Sequence, residues 1–225
     1  MTRNRGDYRS IDDLPSVIPV FPLRQALLLP RASLPLNIFE PRYLDMVEAA
    51  LGSTRIIGMV QPKIRERIDP NDAPPLEAVG CAGRIASFAE EPDSRYLISL
   101  VGISRFTIAE ELMVTTPYRQ IRADYSPFAG DLVGGMGANA VDRTRLLKTL
   151  ADYLEASDLT TDWDTIAGTD TETLVNALSI MSPFGAREKQ ALLEADNLGH
   201  RSEVLIALTE AALALSGTNE NSHLQ

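Results

Sequence analysis

Cysteine occurs once in these 225 residues, as Cys81, so neither an internal disulfide nor a cysteine-based zinc cage can form. That thiol lies in AVGCAGRIASF, a run that reads as a buried strand, where its role is that of a small hydrophobe. Histidine occurs twice, as His200 and His223, and without clustered carboxylates the pair builds no metal site. No window approaches the roughly 20 apolar residues that cross a bilayer. The opening MTRNRGDYRSIDDLP carries three arginines without an apolar run behind them, so it does not read as a signal peptide. Asp7, Asp12 and Asp13 also set it apart from an arginine-rich, acid-poor transit sequence. The expectation is a cytoplasmic chain with no membrane partner.

Lysine is almost as scarce, with only Lys63, Lys148 and Lys189. They follow Pro62, Leu147 and Glu188, so no phosphate-cradling loop ending in Gly-Lys-Ser/Thr exists among these residues. A serine–lysine dyad needs a lysine buried beside its serine. Lys63 sits in a proline-rich loop, and Lys148 and Lys189 read as polar faces of amphipathic helices. No Gly-x-Ser-x-Gly elbow is present, and the Glu90-Glu91 pair reads as a solvated turn. No catalytic residue, cofactor or metal is therefore expected, and the chain reads as a non-enzyme.

What is abundant is apolar content, 44%, enough for real cores. Acidic charge is also in excess, and unevenly. Residues 1–130 hold 15 basic and 16 acidic side chains, whereas residues 131–225 hold 6 and 15. A nucleic-acid binder needs a cationic surface to displace counterions, so no nucleic-acid partner is expected.

The first half reads as β-structure with one helix. Extended runs fall at Val17–Phe21, Ser33–Ile38, Arg55–Val60, Ala78–Phe88, Arg95–Val101, Ser104–Ala109 and Tyr118–Tyr125. Gly102 separates the fifth from the sixth as a bulge or tight turn. Pro41 suits the first turn of a helix whose apolar face is Leu44, Val47 and Leu51 and which stops at Gly52. Residues 61–76, with four prolines among charges, read as a long exposed loop. About seven strands with one inserted helix favour a closed or nearly closed barrel over a sheet with bare edges.

Proline and glycine mark residues 126–137 as a linker, and helices follow over residues 138–217. Leu146, Leu147, Leu150 and Leu154 form one stripe. Leu174, Leu178 and Met181 form another, behind a capping-box spacing at Thr169-Asp-Thr-Glu172. Another helix covers KQALLEA, with Glu188 near its start, and the last runs from Ser202 to Ser216. The expected organisation is a flexible 1–14, a barrel over 15–125, the linker, a four-helix bundle, and a loose 218–225.

Several blocks carry a resemblance. They are Pro19-Val-Phe-Pro22-Leu-Arg24, Pro30, Ile38-Phe-Glu-Pro-Arg-Tyr43, Arg55-Ile-Ile-Gly58, Val79-Gly-Cys-Ala-Gly-Arg-Ile85 and Val101-Gly-Ile-Ser-Arg-Phe-Thr-Ile108. In the helical half they are Leu174-Val-Asn-Ala-Leu178, Pro183-Phe184 and Glu188-Lys-Gln-Ala-Leu-Leu-Glu194. Over residues 15–215 the chain resembles the N-terminal substrate-binding domain of ATP-dependent Lon proteases, and more closely the free-standing bacterial proteins built on that domain. One departure is Gly185-Ala186-Arg187, where such chains place Ser-Pro before Glu-Lys-Gln. The resemblance implies an α+β fold: a PUA-like β-barrel followed by the helical bundle. It implies a ligand as well, the exposed apolar segments of unfolded or misfolded polypeptide, with a protease or other folded protein as a further partner. PUA-like domains of the cereblon type bind cyclic imides with a zinc-bound cysteine set and a tryptophan cage. A single Trp163 and a single Cys81 supply neither.

The candidate peptide-binding residues are Pro22, Arg24, Leu27, Leu28, Pro30, Phe39, Arg42 and Tyr43. Pro22–Arg31 holds more apolar residues than one half-exposed strand requires, and a proline-rich apolar edge can accept an extended segment. Phe39 and Tyr43 would extend that surface, and Arg24 and Arg42 would orient a carboxylate or carbonyl. Core packing for Leu27–Leu29, and an internal ion pair for Glu40 and Arg42, stay open beside this reading. So does a second function, in which the acidic bundle docks one folded partner.

Overall fold

A computed structural model of the chain describes residues 8–64 and 73–222, with side chains as far as Leu215. It is a mixed α+β structure that divides into two compact units, Met1–Gly134 and Gly135–Gln225.

Among the described residues the first unit is built on six strands: β1 (Val17–Pro22), β2 (Ser33–Ile38), β3 (Ile56–Pro62), β4 (Leu76–Glu90), β5 (Tyr96–Glu111) and β6 (Gln120–Asp124). Their order is β2-β5-β4-β3-β1-β6, and β6 pairs with β5 as well. The pairings β5–β4–β3–β1–β6 thus return to β5, while β2 hangs on β5 alone. β1 and β3 run parallel, and the other pairs are antiparallel.

Seven runs were expected and six strands are found, because Arg95–Val101 and Ser104–Ala109 belong to one strand. The register slips at Gly102, where Ala82 faces Ser104 but Gly83 faces Gly102. The ladder on β4 continues across this bulge, so the chain bends without breaking. No side chain fits there. A Cβ on Gly102 would stand 2.0 Å from the Leu29 carbonyl oxygen. That close crossing lets Arg31 N–H donate to the Gly102 carbonyl (2.8 Å) and Gly102 N–H to Ala32 (2.9 Å).

Helix α1 (Pro41–Leu51) begins and ends where Pro41 and Gly52 place it, burying Tyr43, Met46, Val47 and Ala50. Gly52 keeps a right-handed conformation, and the left-handed residue that turns the chain into β3 is Arg55 (φ 62). The core collects Ile18, Val20, Ile56, Val60, Ala82, Phe106 and Ile121. Ser10 caps a 3-10 turn at Ile11–Asp13, and Leu14 is buried in the same core, so residues 10–14 are folded rather than loose. The expected loop over 61–76 is shortened at both ends by β3 and β4, and its residues 65–72 lie outside those described.

The segment read as a linker opens with a 3-10 segment, Ser126–Leu132, anchored on β5. Buried Arg105 donates Nε to Asp131 Oδ2 and Nη2 to Asp131 Oδ1, both at 2.8 Å, and its backbone N–H donates to the same carboxylate. The Arg105 guanidinium also lies 4.3 Å from the centre of the Phe128 ring.

Among the described residues the second unit has five α-helices where four were expected: α2 (Arg143–Ala156), α3 (Trp163–Gly168), α4 (Thr171–Met181), α5 (Ala186–Glu194) and α6 (Leu198–Ser222). The added one, α3, is short and capped by Asp162, whose carboxylate accepts from the N–H of Asp164 and Thr165. The cap of α4 is Asp170 rather than Thr169, while Glu172 accepts Gly135 N–H at 2.7 Å. Helix α6 starts four residues before Ser202 and continues through Gly217 to Ser222, where a stop and a tail were expected.

Candidate functional site

From β1 the chain leaves Pro22 and turns through Gln25, which adopts a left-handed conformation (φ 63). Leu23 N–H donates to Val60 and Gln25 N–H to Gln61 Oε1, which pins the turn to β3. Next it dives inward: Leu27, Leu28 and Leu29 are 3%, 1% and 0% exposed, and Pro30 is buried with them. Of the two readings open for these leucines, the structure supports the core. Three successive leucines cannot alternate in and out. The Leu29 backbone crosses Gly102 and the Leu28 side chain approaches Gly83, and all three leucines are covered. Leu27, Leu28 and Pro30 therefore present no surface to a ligand.

The remaining candidates lie nearer the surface. Phe39, between buried Ile38 and α1, is 64% exposed. Tyr43 is buried, with its ring 4.3 Å from that of Phe21 at the end of β1. The Arg42 guanidinium lies over the Tyr43 ring, 4.6 Å from its centroid. It also donates Nε (3.0 Å) and Nη2 (2.7 Å) to Glu40 Oε2, so the internal ion pair exists. Burial pushes the Tyr43 phenol above its ordinary pKa, and the cation of Arg42 partly offsets this. Half-buried Pro22 follows Phe21 directly, and Arg24 is exposed on the turn beyond. The structure thus brings Phe21, Arg42 and Tyr43 together at the start of α1, with the two rings buried and tilted against each other. What reaches solvent here is the Phe39 ring and the Glu40–Arg42 ion pair.

Elsewhere, Met181, expected on the apolar stripe of α4 with Leu178, is 79% exposed. Lys189, assigned to a polar face, is 4% exposed and donates its ammonium to the carbonyls of Ser179 (2.8 Å), Ile180 (2.6 Å) and Ser182 (2.7 Å). It caps the C-terminal end of α4, where carbonyls lack helical partners and the dipole favours a cation. Burial alone pushes this amine down to about 8. Lys189 is thus the one lysine with the burial that a dyad requires, yet all three of its N–H bonds are committed to backbone. Among the described residues, no three of His, Cys, Asp and Glu stand close enough to hold a metal, and no helix is long and apolar enough to cross a membrane.

Comparison with known proteins agrees with the resemblance. Lon protease 2 of Myxococcus xanthus is 29% identical over 113 residues, covering 50% of this chain and 13% of that protein. Lon protease 2 of Thermus thermophilus is 24% identical over 217 residues, covering 94% of this chain and 26% of that one. The chain therefore spans a quarter or less of the length of most such relatives. Among solved structures, a Lon N-terminal domain protein from Xanthomonas campestris superposes with a TM-score of 0.60 at 21% identity, covering 86% of this chain and 98% of that one. The N-terminal domain of a Mycobacterium avium complex Lon protease superposes at 0.62 and 16% identity, with the same coverage. The sequence model of the ATP-dependent protease La (LON) substrate-binding domain matches residues 17–210, and the chain belongs to that family.

Proposed function

We propose that these 225 residues form a non-catalytic, cytoplasmic protein-binding module that recognises exposed apolar segments of unfolded or misfolded polypeptide. The cycle of strand pairings in the first unit is read as the PUA-like barrel of that family. The observation that carries the binding site is Phe39, a large aromatic left 64% exposed one residue before the Glu40–Arg42 ion pair that opens α1. A rigid aromatic anchor set next to guanidinium donors is the composition that protein-binding hot spots favour. Arg24 and half-buried Pro22 complete the proposed surface, while Leu27, Leu28 and Pro30 are core and take no part in it.

The test is anisotropy of a labelled, permanently unfolded polypeptide titrated with the full chain, using its folded parent as control. Selective binding of the unfolded form is expected, and Phe39→Ser should weaken it by about tenfold or more, the usual scale for losing an aromatic anchor. Equal affinity in that variant would remove Phe39 from the site. Absence of binding up to about 100 μM, a free energy near −5.5 kcal/mol, would remove the function.

A further inference from the structure

The second unit contains a pocket of about 430 Å³ that belongs to none of the residues discussed above as a polypeptide site. Helices α2, α4 and α6 form its walls, with Leu146, Leu150, Leu178, Phe184, Leu205 and Ile206 prominent in the lining. Two of the lining hydroxyls turn away from it: Ser182 donates to the Leu178 carbonyl and Thr209 to Leu205, within their own helices. The wall left to a ligand is mainly hydrocarbon, with Thr149 and Tyr153 as its remaining hydroxyl residues. Met181 and Leu159 line it too while remaining 79% and 53% exposed, so apolar surface continues outward from the pocket. Methionine at such a position adapts to differing side-chain shapes.

Charge selects the occupant. Residues 149–186 supply most of the lining and contain seven carboxylates (Asp152, Glu155, Asp158, Asp162, Asp164, Asp170 and Glu172), of which Asp162 and Asp170 cap helices, before the exposed cation of Arg187 follows. Glu155, Asp158 and Asp164 are exposed, and the first two flank the lining residues Leu154 and Leu159 in sequence. Lys148, the nearest cation before this stretch, is paired with Asp152 (2.8 Å), and Arg145 with Glu210 (3.0 Å). An apolar slot between helices, set in an anionic surface, suits a helix with one hydrocarbon face and basic flanks. We infer that this pocket is a docking site for a cationic amphipathic helix of a partner protein. It is independent of the Phe39 surface, so either site can fail without the other.

The inference is tested on the full chain with three labelled probes of about 18 residues, roughly five helical turns. One is a leucine–lysine peptide patterned at helical period, the second has the same composition in strict alternation, and the third replaces lysine by glutamate. The helical leucine–lysine probe should bind, and the other two should bind at least about tenfold more weakly. The double variant Met181→Asn, Leu159→Asn, in which only exposed side chains change, should weaken that probe by about tenfold while leaving the Phe39-dependent binding of unfolded polypeptide intact. Glu155→Gln with Asp158→Asn should flatten the salt dependence of binding. Equal binding of the alternating probe, or unchanged affinity in the Met181 and Leu159 variant, would overturn the site. So would failure of the helical probe to bind.

Discussion

Replacing Gly102 by alanine perturbs the point on which the first unit's path depends. The added methyl would stand 2.0 Å from the Leu29 carbonyl oxygen, 2.7 Å from its carbon and 3.3 Å from the Pro30 Cα. Ordinary C···O approach is about 3.3 Å or more, so the two backbones must separate by about 1.3 Å. Leu29 is fully buried and no flexible side chain stands between to absorb the shift. Separation also strains the two crossing hydrogen bonds, Arg31 N–H to Gly102 and Gly102 N–H to Ala32. Overpacking of this kind costs about 1–3 kcal/mol, and each lost backbone bond adds about 1 kcal/mol. The expected loss is therefore on the order of 3–5 kcal/mol. With a urea slope near 2 kcal/mol per molar, the unfolding midpoint should fall by roughly 2 M. Hydrogen exchange of β2 and β5 amides, followed beside circular dichroism, assigns the loss to the first unit. Gly134→Ala is the control, because its Cβ meets only the Arg31 side chain at 3.8 Å, and it should stay within about 0.5 kcal/mol of the parent. A Gly102→Ala midpoint within about 0.5 M of the parent would refute the crossing as drawn.

Asp131→Ala should strand the buried Arg105 guanidinium, at a cost of about 3–5 kcal/mol, and expose residues 126–132 to limited proteolysis. Unchanged cleavage there would show that the pair does not anchor the segment. Lys189→Met should leave the carbonyls of Ser179, Ile180 and Ser182 without their donor and lower the melting stability of the second unit by about 2–4 kcal/mol. Burial holds the Lys189 amine near 8 against an ordinary 10.5. Between those pH values the unfolded chain binds more protons, so the parent should gain stability relative to Lys189→Met as pH rises from 8 to 10. A flat difference would mean that the three carbonyls outweigh burial and keep the ammonium charged. Phe39→Ser, by contrast, should leave thermal stability within about 0.5 kcal/mol of the parent, since its ring is mostly in solvent. A larger drop would make Phe39 a packing residue and undercut its place in the binding site.

Local rules were enough to read several features in the sequence. Pro41 and Gly52 bound α1 because one has no N–H to lose and the other has no side chain to place. Strand-forming runs declared themselves by composition, and the missing Gly-Lys-Ser/Thr excluded a phosphate loop of that type. Gly102 was legible as a break in the pattern. Whether the strand stops or bulges there depended on β4 continuing alongside. Leu27–Leu29 show the limit most plainly: an apolar run says that something must cover it, and only the fold brings Gly102 against Leu29 and Gly83 against Leu28. Arg105 and Asp131 are 26 residues apart, and no periodicity links them. Lys189 turns inward against its expected place because the carbonyls at the end of α4 draw the ammonium in. Sequence by itself determined the family, the β-then-α order and the lack of the nucleotide loop, since these rest on residues close together in the chain. Tertiary structure decided which apolar residues form core and which form surface, because burial depends on neighbours that the chain supplies from far away.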